Sequence, residues 1–219
     1  MLLKVTNLKV KFESKTILEN INFEIKENEK VGILGPNGGG KTTLLRALTF
    51  QIPYEGEIIY KEGTKVSLVP QIKNINRFLP ITVGEFFSLF KIKLTYLKDF
   101  LKEDIFKKQI ANLSDGELQK ILILQAIFQK PDLLLLDEPT SFLDPINKEN
   151  IFSLLEKFYQ EKPFAVLIVS HDLSIISSFV ERVICLNKNL ICDGFLNQIT
   201  PDIFEKLYGY KVGIYKHKH

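Results

Sequence analysis

The run KVGILGPNGGGKTTLLRALTF, Lys30 to Phe50, confines the chain around it to one local topology. Its first five residues suit a buried strand, its last ten carry leucines at helical spacing, and G-x-x-x-x-G-K-T stands between them at Gly35 to Thr42. A strand must therefore stop, turn through glycine-rich backbone and enter a helix directly. That order is what a phosphate-binding loop requires, because glycines let backbone N–H groups converge on phosphate oxygens while the helix N-terminus adds its positive end. Lys41 then reaches the β and γ phosphates and Thr42 offers its hydroxyl to Mg²⁺. The candidate nucleotide-binding residues are Gly35, Pro36, Asn37, Gly38, Gly39, Gly40, Lys41, Thr42 and Thr43. A glycine-rich turn with a chance GKT would not bring both flanking elements with it, so a nucleoside triphosphate is the expected ligand.

The rest of the chain supplies a setting for such a loop. Ahead of it, LLKVTNLKVKF and TILENINFEI read as an antiparallel pair, and GEIIYKEGTKVSLVP beyond it reads as two more strands. Between Thr82 and Gln109, TVGEFFSLFKI and DFLKEDIFKKQ have helical periodicity, with Thr82 and Glu85 spaced as a capping box. A further helix runs from LSDGE to near Pro131, and then the buried runs LLLLDEP and FAVLIVSHD flank a helix from about Ile146 to Gln160. Continuous apolar runs alternating with helices predict a mainly parallel sheet covered on both faces. A hairpin over VICLNKNLICDG and a helix near Thr200 to Leu207 close the pattern. The fold class is α/β, a P-loop NTPase core with an N-terminal antiparallel β subdomain and an inserted α-helical subdomain. The expected division of the single domain is residues 1–81 and 131–219 for the core and 82–130 for the helical part.

Three strand ends add chemistry. Asp137 suits Mg²⁺ binding and Glu138 beside it suits activation of an attacking water, a pairing that an ordinary acidic turn does not explain. His171 ends FAVLIVSHD at the edge where a parallel sheet presents its ligands, and Gln71, after VSLVP, can ligate Mg²⁺ or hold a water.

Composition excludes several classes. With 45% apolar residues in 219 the chain can fill a core, and 29 basic against 26 acidic residues, mixed along the sequence, leave no footprint for nucleic acid. Charges interrupt every apolar run at the N-terminus and nowhere do 18 apolar residues run together, so a cytoplasmic protein that meets a membrane only through a partner is expected. Cys185 and Cys192 lack companions for a metal site and are read as thiols of a reducing compartment. His217 and His219, in the terminal YKHKH, are read as a solvated tail rather than a metal site.

As a set, these motifs resemble the ABC ATPases over nearly the full chain and in the family's order. GPNGGGKT matches Walker A, Gln71 falls at the Q-loop, LSDGELQK resembles the LSGGQ signature, LLLLDEP matches Walker B with its glutamate, SFLD at Ser141 to Asp144 resembles the D-loop, and His171 falls at the switch histidine. Phe12 falls where the family stacks an aromatic on adenine. The resemblance implies two copies facing head to tail, with ATP held by one and closed over by Ser114, Asp115, Gly116 and Glu117 of the other. Glu138 would act as general base, His171 would hold the γ phosphate and water, and Thr42, Gln71 and Asp137 would hold Mg²⁺. It also implies integral membrane permease subunits and, through them, a solute-binding protein, with the chain peripheral on the inner face of the membrane.

FLPITVGEFF, CLNKNLICDG and LYGYKV look similar to ATPases of the zinc, manganese and iron importer group. Importers of siderophore iron or cobalamin and a soluble non-transport ABC ATPase are the alternatives. Three departures from the family pattern stand out. Asp115 replaces a glycine and Glu117 a glutamine in the signature, and Asn28 takes the place of a turn glycine, which asparagine allows because it accepts αL geometry. Ser114 and Glu117 have capping-box spacing, so Glu117 can serve the helix start, whereas Asp115 would complement the helix dipole in the free subunit and oppose the γ phosphate if its carboxylate points toward the dimer seam.

Overall fold

The computed structural model of the protein describes residues 1–171 and 177–209, so the His217/His219 tail and the second half of LYGYKV lie outside the described residues. Strands β1 (Leu3–Phe12) and β2 (Lys15–Ile25) form a hairpin. The chain then leaves for a second sheet through β3 (Lys30–Leu34), which runs into helix α1 (Lys41–Leu48). Strand β4 (Glu55–Tyr60) returns to the first sheet and β5 (Val66–Val69) enters the second. After α2 (Val83–Leu89) and α3 (Asp115–Phe128) come β6 (Leu133–Asp137), α4 (Pro145–Glu161), β7 (Ala165–Ser170), the hairpin β8 (Arg182–Asn187) and β9 (Asn189–Phe195), and α5 (Pro201–Tyr208). The turn at Asn28 has φ 59, the left-handed geometry expected of an asparagine in a glycine's place.

The first sheet is antiparallel in the order β2-β1-β4, and the second runs β5-β6-β7-β3-β8-β9, parallel except for β9. Both faces of the second sheet's inner strands β3, β6, β7 and β8 are buried, which is why these read as apolar runs, whereas the edge strand β9 alternates between exposed and half-buried residues. Along β6, Leu133 and Leu135 point into a core shared with α1 and the antiparallel sheet, while Leu134 and Leu136 point into one shared with α3 and α4. Each such leucine contributes about 2 kcal/mol by leaving water. Because β3, β6 and β7 are parallel neighbours or near neighbours, the residues that follow them emerge at one edge of the sheet.

The stretch between α2 and α3 departs from the expected helix. Leu97, Leu101 and Ile105 are buried at a spacing of four, which produced the helical periodicity, yet the backbone forms separate 3₁₀ turns at Leu94–Leu97, Glu103–Lys107 and Ile110–Asn112. Extended residues at Lys102 (ψ 147) and Lys108 (ψ 142) interrupt it, leaving pieces too short to propagate an α-helix.

The cysteines also differ from expectation. Cys185 and Cys192 are register partners on β8 and β9 with Cα atoms 4.8 Å apart, and they form a disulfide rather than free thiols. The hairpin was legible, but its register was not: Lys188 alone separates the strands, at φ 61, a turn that pairs Leu186 with Leu190, and a register shift between Leu186 and Cys185 then sets Cys192 rather than Ile191 opposite Cys185.

Candidate active site

The loop between β3 and α1 is held from two sides. The Lys188 amide of the β8–β9 turn donates to the Gly39 carbonyl (2.9 Å), and the Glu19 amide of β2 donates to the Lys188 carbonyl (2.9 Å). A Cβ on Gly35 would lie 2.0 Å from the Leu186 carbonyl oxygen, and one on Gly40, at φ 97, would lie 2.5 Å from Leu18. Gly38, at φ 78, instead faces open space, which is where backbone N–H groups can meet a ligand. Gly35→Ala is expected to cost about 3 kcal/mol by forcing the β3 and β8 backbones apart. Urea unfolding measures this, and an unchanged midpoint would mean that the Leu186 carbonyl yields freely.

Lys41 is 5% exposed, and its Nζ donates to the carbonyls of Gly35 (2.8 Å) and Pro36 (3.0 Å). Burial pushes its pKa down, opposed by Glu138 and Asp137, with Glu138 Oε1 at 4.0 Å. Thr42 Oγ1 donates to Asp137 at 2.9 Å, joining the helix start after β3 to the end of β6. Burial pushes the Asp137 carboxyl up in spite of that bond, so a buried anion stands here with a hydroxyl beside it. A cation bound by both oxygens would relieve that penalty, and the all-oxygen donor set fits Mg²⁺.

Glu138 follows in left-handed backbone, φ 48, a strained conformation for a residue with a Cβ. Three groups converge on its Oε2: Ser141 Oγ donates at 2.6 Å, Gln71 Nε2 donates at 3.3 Å, and His171 Nδ1 lies 3.2 Å away. A cavity of about 360 Å³ opens beside them, lined among others by Asn37, Gln71, Glu138, Ser141 and His171. Asp137, Glu138, His171, Gln71, Lys41 and Thr42, read separately from the sequence, thus form one connected cluster. Ser141, read from the sequence only as the start of the D-loop match, is a partner of Glu138 that its place three residues further on in a turn could have suggested.

Other candidates lie outside that cavity. Phe12 ends β1 at the hairpin tip, 45% exposed, on the hairpin whose second strand carries Leu18 against Gly40. Asp144 caps α4, accepting from the Asn147 amide at 3.0 Å. Ser114 caps α3 in the expected capping box, with the Glu117 amide donating to Ser114 Oγ (3.2 Å) and the Ser114 amide donating to Glu117 Oε2 (2.9 Å). Lys108 holds Glu117 from the other side at 2.8 Å, and that bond, followed by the Ser114 amide, pulls the Glu117 carboxyl down. Gly116 packs against the Asn147 side chain, which a Cβ would meet at 2.8 Å. Asp115 stands in the first turn of α3 as expected, and its carboxylate pairs with Arg77, which no spacing in the sequence linked to it.

A parallel sheet with a glycine loop at the N-terminus of a helix, a buried lysine in the loop and an acidic strand end beside it define a P-loop ATP-binding domain. The ABC transporter family model matches residues 18–141. Zinc import ATP-binding protein ZnuC of Haemophilus influenzae is 38% identical over all of this chain and 85% of its own length, and that of Wigglesworthia glossinidia brevipalpis is 38% identical over all of this chain and 99% of its own. Among solved structures, an inward-facing ABC transporter described as metal-chelate type superposes with a TM-score of 0.83 at 26% identity, covering 94% of this chain and 88% of that one. A dimeric ATP-binding cassette in a post-hydrolysis state, bound to ADP and Pi, gives 0.75 at 28% identity over 90% of this chain and 100% of that one. The chain belongs to the ABC transporter family, and it is an ATP-binding, ATP-hydrolysing member of it.

Proposed function

We propose that this chain is the ATPase subunit of an importer for a divalent metal ion, zinc ahead of manganese and iron. The observation that carries the cargo is the 38% identity over the whole chain to proteins named for zinc import. A second reading, import of a chelated metal as in siderophore iron or cobalamin uptake, draws on the likeness to a metal-chelate type transporter, at the lower identity of 26%. Among the described residues no helix is long and apolar enough to cross a membrane, which suits a chain held at the cytoplasmic face by separate permease subunits. Within the inserted segment 82–130, Thr82 to Gln109 is the part proposed to dock on the permease, the core to bind nucleotide, and a solute-binding protein to deliver cargo from the other side.

In the proposed cycle Gly35 to Thr43 wrap the phosphates, Lys41 turns from the Gly35 and Pro36 carbonyls to the β and γ phosphates, and Phe12 stacks on adenine. Thr42, Asp137 and Gln71 are the residues proposed to hold Mg²⁺, which when bound would neutralise charge on the β and γ oxygens. The Ser114–Glu117 segment of a second copy closes over the nucleotide, with Asp144 of the D-loop at the seam. Water then attacks the γ phosphorus while Glu138 takes its proton, the bond from that phosphorus to the β–γ bridging oxygen breaks and ADP leaves, and His171, which shares Glu138 Oε2 with Gln71 and Ser141, orients the water and the γ phosphate. Loss of the γ phosphate removes the bond between the two copies, so hydrolysis opens the dimer.

Co-expression of the chain with its own permease in a bacterium lacking zinc importers tests the reading. Cellular zinc is expected to rise with the native chain and to stay low with Glu138→Gln. Uptake of a chelated metal in place of free zinc would overturn the cargo assignment.

A further inference from the structure

We infer that Arg77 is a positioning residue for ATP-driven closure: its guanidinium offsets Asp115 at the start of α3, so that this helix end can approach a triphosphate. The inference rests on the reading above, in which the Ser114–Glu117 segment of one copy closes on ATP held by the other. Arg77 straddles Ser114. Its Nη2 pairs with the Asp115 carboxylate and its Nη1 donates to the Leu113 carbonyl at 3.4 Å, gripping the residues on both sides of the serine. Asp115 is not needed as a cap, because Ser114 and Glu117 already satisfy the helix start reciprocally. What it adds is a negative charge beside the positive helix end that a phosphate would use. In the shallow hollow where the pair lies, with Ile72, Lys73, Phe78 and Phe142, Asp115 is the one acid among the described residues lining it.

The pair also joins two parts of the site. Arg77 follows Gln71 through the 3₁₀ turn Ile72–Asn74, and Gln71 donates to Glu138, so one short segment runs from the proposed base to the α3 start. A shift of that segment changes both the glutamine at Glu138 and the charge presented by α3.

The test is a charge cycle measured as the dimer dissociation constant by sedimentation with ATP and Mg²⁺, in a Glu138→Gln background that holds the nucleotide. Arg77→Ala leaves Asp115 bare and is expected to weaken the dimer about fivefold, an effect that shrinks as salt rises. Adding Asp115→Asn to Arg77→Ala is expected to restore affinity to within about twofold of the parent, and Arg77→Lys to keep most of it. Unchanged affinity in Arg77→Ala overturns the inference. So does a loss that Asp115→Asn does not rescue, since that would assign Arg77 to folding through the Leu113 carbonyl. If the parent Glu138→Gln itself stays monomeric with ATP bound, the closure reading fails and this inference with it, an outcome separate from the other two.

Discussion

Glu138→Gln is expected to bind ATP about as tightly as the native chain and to hydrolyse it at least about a hundredfold more slowly, the loss typical when a general base is removed. The amide keeps the volume of the carboxylate and can still accept from Ser141 Oγ, now 2.6 Å from Glu138 Oε2, so the strained turn at φ 48 should survive the change. What disappears is the basic oxygen on which Gln71 and His171 also converge. Single-turnover hydrolysis with pre-bound ATP separates chemistry from binding. Near-native turnover would remove Glu138 from the role of base and leave water activation to the phosphate itself.

Lys41→Ala is expected to weaken ATP binding by about a hundredfold or more, because the proposed charge-assisted contact of a buried ammonium to phosphate is lost. The side chain is enclosed by the Gly35 and Pro36 carbonyls, and burial already lowers its pKa. A triphosphate would act in the opposite direction and hold the ammonium charged. Removing Lys41 also leaves the acid pair Asp137 and Glu138 facing an anionic ligand without the cation that lies 4.0 Å from Glu138. Calorimetric titration of ATP measures the effect, and an unchanged dissociation constant would place the phosphates away from this loop.

Much of the fold was legible because burial on two faces writes itself into sequence as LLLL at Leu133 to Leu136 and AVLIV at Ala165 to Val169. Local chemistry was legible as well, since both capping boxes, at Thr82/Glu85 and Ser114/Glu117, depend only on residues three apart. Features set by contacts between distant segments were not. GEIIY and VSLV both read as strands, yet β4 joins the antiparallel sheet and β5 the parallel one, a choice made by packing partners rather than by either strand. The disulfide depends on hairpin register, and the 3₁₀ turns around Leu97 to Ile105 share the burial spacing of a helix without its hydrogen bonds. In the site, Asp137 and Glu138 announced themselves at a strand end, whereas the Arg77 partner of Asp115 comes from 38 residues away. A carboxylate in a sequence is legible as a charge, but only the fold says what neutralises it.

In the proposed cycle ATP joins two copies of this chain and hydrolysis by Glu138 parts them. Sedimentation of Glu138→Gln at increasing ATP with Mg²⁺ measures the joining step. A doubling of mass that saturates with one ATP per chain, and that does not occur with ADP, is the expected result. A monomer fully loaded with ATP would contradict it.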